Sequence, residues 1–277
     1  MRAGIGVAKG GEEVKEPRYD ELGATTLKRI SNSTHRTFAM CAERYWLLQD
    51  VEERATTMAL AIGSAVAKGV EFDNRGKIGR ENARSLGQLL EISESYFAAL
   101  VEESEHAASV WEVERARDDA VAAMRCYLAE ISPKVLHVVA TEKSFRARIG
   151  HGIELVGRMD TVCDAEVRDI KTGRRWRDED AHRSLQLTDY DLLFEAEYET
   201  RPRVLWIDSV YRVSGGWRAR AIPTHRSQGQ RARFVESVRR TVASIESGAQ
   251  HAAPEGAWWC SREYCPVWQR CRVRGWD

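Results

Sequence analysis

Hydrophobic positions along the chain change their period twice. From Ile30 to about Ile131 they recur at helical spacing, from Val135 to Ile222 they mostly alternate, and after Gln228 the helical spacing returns. Ser31 or Ser33 is placed to cap a first helix that runs through Phe38, Tyr45 and Leu48. Met58 to Phe72 is small and apolar enough for a buried helix, and Asn74, Gly76 and Gly79 predict a loop over 73–80. Two amphipathic helices follow from Asn82 to about Ile131, with Leu86, Leu89, Leu90 and Phe97 on the early apolar stripe, and Pro133 closes the region.

The alternating stretch divides into strands at Val135 to Thr141 and Lys143 to Ile149, a turn at Gly150-His151-Gly152, then Leu155 to Cys163 and Val167 to Thr172 across a polar break at Asp164 to Glu166. Ala181 to Tyr198 predicts a helix. Val204 to Arg212 and Trp217 to Ile222 predict a hairpin around Ser214-Gly215-Gly216. A last helix over Gln228 to Ser247 has Gly248 where a C-terminal glycine belongs. Helices, then a sheet with one crossover helix, then a terminal helix predict an α/β core with an N-terminal helical insertion. Residues 1–20, rich in Gly, Lys and Glu, are expected to form a mobile arm before a single domain over 21–277. Its helical part covers about 30–131, its sheet core about 135–222, and its terminal helix and cysteine cluster about 228–271.

Composition adds little until its distribution is considered. The 42 basic and 42 acidic residues cancel, which argues against a global polycation. Acidic residues crowd the middle and arginines the later part, from Arg201 to Arg240, where a basic surface can meet phosphates. No apolar run has the length of a membrane span and the N-terminus lacks a signal-peptide core, so a soluble cytoplasmic protein is expected. In that compartment the six cysteines are to be read for metal or redox use before disulfides.

Candidate chemistry concentrates between Gly157 and Lys171. Asp160 lies on the first strand of that hairpin, and Asp169 and Lys171 lie two apart on the second, on one face. Two carboxylates of this kind suit magnesium or manganese, and a lysine beside them can orient or deprotonate water or steady a developing negative charge. An Asp-x-Lys alternation alone is also an ordinary solvated ion pair. On the following helix Gln186 and Tyr190 are four apart and share a face. The tail holds Cys260, Cys265 and Cys271 at C-x4-C-x5-C spacing among tryptophans. Three thiolates need a fourth for tetrahedral zinc or a cubane cluster, the loose spacing favours the cluster, and Cys41 is a candidate fourth ligand. Cys126 and Cys163 fall in helix and strand patterns and are expected to pack.

Taken in order, ISNSTHRTFAMCAERYW, GSAVAKGVE, GRMD, DIK, QLTDY and CSREYCPVWQRC resemble the RecB-like branch of the PD-(D/E)XK nuclease superfamily, in particular its iron–sulfur exonucleases, which include AddB-type, CRISPR-associated and phage-encoded members. The resemblance spans Ile30 to Cys271. It implies a mixed sheet flanked by helices and a metal-dependent DNA exonuclease acting in recombination or repair on single strands or free ends, with a recombination protein as partner. It makes Asp160 and Asp169 ligands to Mg2+ or Mn2+, Lys171 the catalytic lysine, and Gln186 and Tyr190 supports of the site. It also makes Cys41, Cys260, Cys265 and Cys271 the ligands of a 4Fe-4S cluster that stabilises the fold.

One position departs from the family. Its helical motif carries a histidine four residues after a glycine, and here Gly63 is followed by Ala67, which has no ligand atom. Glu71, one turn further, is the candidate substitute in the metal site, and Glu142 is a second helper. Two alternatives stay open: a weakened or inactive nuclease fold that binds DNA, and a zinc-stapled domain without nuclease function.

Overall fold

The computed structural model describes residues 27–51, 57–79, 83–103, 109–262 and 264–271. The expected arm over 1–20 lies outside them. In chain order the elements are β1 (Lys28–Ser31), α1 (Asn32–Met40), α2 (Ala42–Leu47), α3 (Met58–Ile78), α4 (Leu86–Glu102), α5 (Val110–Glu130), β2 (Val138–Arg148), β3 (Ile153–Cys163), β4 (Glu166–Gly173), α6 (Asp178–His182), α7 (Leu185–Tyr198), β5 (Val204–Val213), β6 (Gly216–Thr224) and α8 (Gln228–Glu246). Among them no helix is long and apolar enough to cross a membrane.

Six strands make one mixed sheet in the order β1-β3-β4-β5-β6, with β2 on the other edge of β3. The inward residues of β3, β4 and β5 need cover on both sides, and the helices supply it in two layers. Leu155, Met159, Val167 and Ile207 pack with Leu187, Leu193 and Phe194 of α7 and Phe234 and Val238 of α8. On the opposite face Val210 and Cys163 pack with Val66 and Val70 of α3, Leu89 of α4 and Met124 and Tyr127 of α5. Those three helices also share a small core of their own around Ala61, Phe97 and Ala120.

The ends of the helices follow their sequence. Ser85–Gln88, Ser109–Glu112 and Ser227–Gln230 form reciprocal capping boxes that start α4, α5 and α8. Ser31 caps α1, accepting from the Thr34 amide at 3.1 Å. After α8, the Gly248 amide donates to the Ile245 carbonyl and the Ala249 amide to that of Ser244, with Gly248 at φ +68°, which is a Schellman closure.

Four expectations need correction. The loop predicted over 73–80 is helical to Ile78, because tertiary bonds outweigh the roughly 1 kcal/mol cost of glycine in a helix. Buried Asn74 donates to Thr161 Oγ1 at 2.7 Å, and Lys77 reaches both Asp73 (2.8 Å) and the Ser132 carbonyl (2.9 Å). The two strands predicted before the Gly150 turn are one strand, β2, with Glu142 at φ +49° where the break was expected. The single helix expected through Phe38 and Leu48 is two, because Cys41 is extended and caps α2. The helix expected over Ala181 to Tyr198 breaks at Arg183–Ser184, where the Ser184 hydroxyl starts α7.

Candidate active site

The three residues of the Asp-x-Lys hairpin meet where β3 loses a neighbour. β2 occupies one edge of β3 along its length, while the other edge is shared: β1 pairs with Ile153–Val156 and β4 only with Thr161–Cys163. Gly157 to Asp160 are therefore without a ladder partner on that edge. The phase of the strands changes there as well. Leu155 and Met159 enter the α7-side core on odd positions and Val162 on an even one, and on β2 Phe145 and Ala140 show the same change across Glu142. A local break in the alternation frees a side chain to lie across the gap. Asp160 does so: its Oδ2 accepts from the Ile170 amide of β4 at 2.9 Å.

Asp169, on β4, is fully buried on the α7 side, and Lys171 Nζ lies 3.0 Å from its Oδ1 and 2.8 Å from Oδ2. Burial first, then the neighbouring Asp169 charge, pushes the Asp160 carboxyl up to about 8, against the pull of Lys171 and the Ile170 amide. Burial likewise raises Asp169, against Lys171. A buried carboxylate, Asp169, and a half-buried one, Asp160, thus share one ammonium. That shortage of positive charge is what a divalent ion relieves, and the all-oxygen donor set suits magnesium or manganese.

α7 braces this arrangement. Gln186 Nε2 donates to Tyr190 Oη at 2.9 Å, and that hydroxyl donates to the Arg158 carbonyl at 2.8 Å, two residues from Asp160. The approach is close because Gly157 has no side chain: a Cβ there would lie 2.6 Å from Leu193 Cδ1 and 3.1 Å from Asp189 Oδ2. Across β3, Thr141 Oγ1 donates to the Asp160 carbonyl (2.8 Å), and Glu142 pairs with Arg158 at 2.7 Å. Burial raises the Glu142 carboxyl, and the charges of Asp160 and Glu142 reach one another. Glu71 of α3 is buried and ion-paired with Lys68 (2.9 Å) and Arg75. Among the described residues, no three His, Cys, Asp or Glu side chains are gathered as tightly as a metal ion requires.

The tail returns to α2. Trp46 Nε1 donates to the Ala249 carbonyl, the Glu43 amide to that of His251, and Arg270 to that of Asp50. This brings Cys265 near enough to Cys41 and Cys271 to feel their charge, and Cys41 and Cys271 are buried. None of the four candidate cluster cysteines is in a disulfide, so the donor chemistry fits a thiolate-held cluster, although among the described residues the sulfurs are not drawn to ligating distance. Cys163 lies in the α3–α5 core and Cys126 faces Glu130, and burial pushes both thiols up to about 11, as packing cysteines behave.

Sequence reasoning missed Asp189. It lies inside QLTDY between Gln186 and Tyr190, is 1% exposed, and burial alone pushes it up to about 8. Its signal is in the sequence: Asp189 and Asp191 both flank Tyr190 on a largely apolar helix, and of these two buried carboxylates Asp191 is the one ion-paired, with Arg201 and Arg231.

A family profile described as the PD-(D/E)XK nuclease superfamily matches residues 29–272. The chain is similar to a solved structure from Eubacterium rectale described as a candidate exonuclease, at 14% identity and a TM-score of 0.57, over 84% of this chain and 87% of that one. A second solved structure, SSO0001, aligns over 84% of this chain and 93% of its own at 19% identity, with a TM-score of only 0.35. Among curated proteins, none matches.

Proposed function

The chain belongs to the PD-(D/E)XK nuclease superfamily, and from that premise we propose that it is a divalent-metal-dependent deoxyribonuclease, an exonuclease acting on single-stranded or free-ended DNA in recombination or repair. The observation that carries the reading is the fork between β3 and β4, where Asp160, Asp169 and Lys171 share one pocket of unbalanced charge.

Asp160 and Asp169 would hold Mg2+ or Mn2+, which when bound neutralises the scissile phosphate and activates water. Lys171 favours the charged form of Asp169 against its burial and presents an ammonium where negative charge would develop. Tyr190, fixed by Gln186, locks α7 to β3 and so holds Asp160 in register with Asp169. Glu71 is the proposed substitute for the missing histidine, and to serve it must release Lys68 or Arg75. A 4Fe-4S cluster on Cys41, Cys260, Cys265 and Cys271 is proposed to fasten the tail to α2, a fold-stabilising role; the packing of the tail on that helix supports it.

The test is digestion of an end-labelled single strand with Mn2+ or Mg2+. Stepwise shortening that disappears in Asp160→Ala and Lys171→Ala is expected, and robust activity in Lys171→Ala would overturn the mechanism. The second reading, a weakened nuclease that binds DNA, rests on Ala67. It predicts no digestion by the natural chain and recovery in Ala67→His. Iron analysis of anaerobically purified protein tests the cluster, and one bound zinc without iron would overturn it.

A further inference from the structure

Seven buried side-chain polar atoms among the described residues lack a hydrogen-bond partner, and four of them belong to residues lining one cavity: Asn32 Oδ1, Arg44 Nε, Asp189 Oδ1 and Trp259 Nε1. Buried polar atoms are ordinarily satisfied, so four around one opening require an explanation. The cavity, of about 540 Å³, lies between α1, α7 and the tail. Water can satisfy polar atoms, but it gains nothing from the rest of the wall. Trp258 is 68% exposed and Tyr264 is 51% exposed, edge to face at 5.2 Å. Large aromatic faces beside converging donors and acceptors characterise a site for a flat, polar-edged ligand. Arg36 adds positive charge to the lining.

The position of the cavity narrows the choice of ligand. Gly157, Arg158, Gln186 and Tyr190 line it, and the same four residues brace Asp160. Whatever occupies it is therefore a neighbour of the group held at Asp160 and Asp169. Asp189 is the most deeply placed of the four unsatisfied residues, and its Oδ1 has no hydrogen-bond partner among the described residues.

We propose that this cavity is a base-binding subsite that takes one unpaired nucleobase of the strand being cut, its ring against Trp258 and its edge toward Asn32, Asp189 and Trp259, with Arg36 and Arg44 at the flanking phosphate. The inference rests on the nuclease reading above and deepens it. A paired base hides its edge and both faces, whereas an unpaired one offers them to aromatic and hydrogen-bonding side chains. The subsite thus favours single strands and gives the enzyme a preference at one position beside the cleaved bond, which phosphate contacts alone do not provide.

Binding in EDTA separates this from cleavage. The full chain is titrated with a labelled single-stranded hexamer, an abasic hexamer of equal charge and a blunt hairpin, and the reading is fluorescence anisotropy. The intact strand is expected to bind at least tenfold more tightly than the abasic one, the order of one stacked base. Trp258→Ala is expected to abolish that gap while leaving the abasic affinity within about twofold, and Trp258→Phe to retain most of it. Asp189→Asn is expected to change the order of affinity among dA, dC and dT hexamers. Equal binding of intact and abasic strands, a gap that survives Trp258→Ala, or an unchanged order in Asp189→Asn would overturn the subsite. Cleavage with Mn2+ distinguishes the two proposals. Digestion of intact and abasic strands with equal affinity sinks the subsite and spares the nuclease, whereas a preserved binding gap without digestion does the reverse.

Discussion

β4 carries two ion pairs on adjacent residues, one toward each face of the sheet, and they are built differently. Arg168 grips Asp208 of β5 with two bonds, Nε to Oδ2 at 2.9 Å and Nη2 to Oδ1 at 2.7 Å, and both side chains are 4% exposed. Each charge there meets an opposite charge of matching shape. Asp169, the next residue, is just as buried, yet its partner Lys171 is a point charge 28% open to solvent, and Asp160 competes for it. One pair is closed and balanced, the other open and short of positive charge. The difference separates a pair that closes on itself within the sheet from a pair left with unbalanced charge, the feature on which the proposed nuclease site rests.

Breaking each pair tests that comparison. Arg168→Ala leaves Asp208 buried and alone, and a loss of about 3–5 kcal/mol is expected in denaturant unfolding. Lys171→Ala is expected to cost less than Arg168→Ala in unfolding, because the Asp169 carboxyl is already raised and can take up a proton, and to lower the cleavage rate by about a hundredfold or more, the scale of a lost proton-transfer or charge-stabilising group. If Lys171→Ala unfolded the chain and Arg168→Ala spared it, the roles would be exchanged.

A third carboxyl, Asp189, sharpens the contrast because no hydrogen bond from the described residues reaches its Oδ1. Burial pushes Asp189 up to about 8, above its unfolded value of about 3.9, so the folded state binds the proton more tightly. Its stabilising contribution is complete below about pH 4 and is lost as pH rises through about 8. The slope in that window approaches about 1.4 kcal/mol per pH unit. Asp189→Asn removes this slope, so melting temperatures of the variant and the natural chain are expected to diverge from pH 5 to pH 8, with the variant higher. Parallel curves would mean that Asp189 is ionised in the folded protein. The smallest effect is expected at Gly157→Ala, where the new methyl meets Leu193 and Asp189. A loss of about 1–3 kcal/mol in unfolding, with α7 eased from β3, is the expected outcome.

The sequence displayed the elements better than their joints. Alternation located β3 and β4, and with them Asp160, Asp169 and Lys171, because period and polar breaks are local properties. The continuation of α3 to Ile78 was hidden, since it depends on Asn74 meeting Thr161 and Lys77 meeting Ser132, contacts between residues 87 and 55 positions apart. Nor did the pattern expose the fork, which exists only because β1 pairs with Ile153–Val156 from far back along the chain. Gln186 and Tyr190 were legible from their spacing, although their bond to the Arg158 carbonyl was not. Asp189 was concealed by its neighbours, and the aromatic cavity by its parts, which come from segments more than two hundred residues apart.

That separation has a temporal consequence. Trp46 clasps the Ala249 carbonyl across 203 positions, and the tail beyond it furnishes Trp258 and Trp259 to a cavity whose other wall is α1. During synthesis, α1 and the two aspartates emerge from the ribosome well before those tryptophans. A growing chain can therefore hold the carboxylates of the proposed cutting centre while lacking the wall that would seat its substrate, and the two become one site only when the clasp closes.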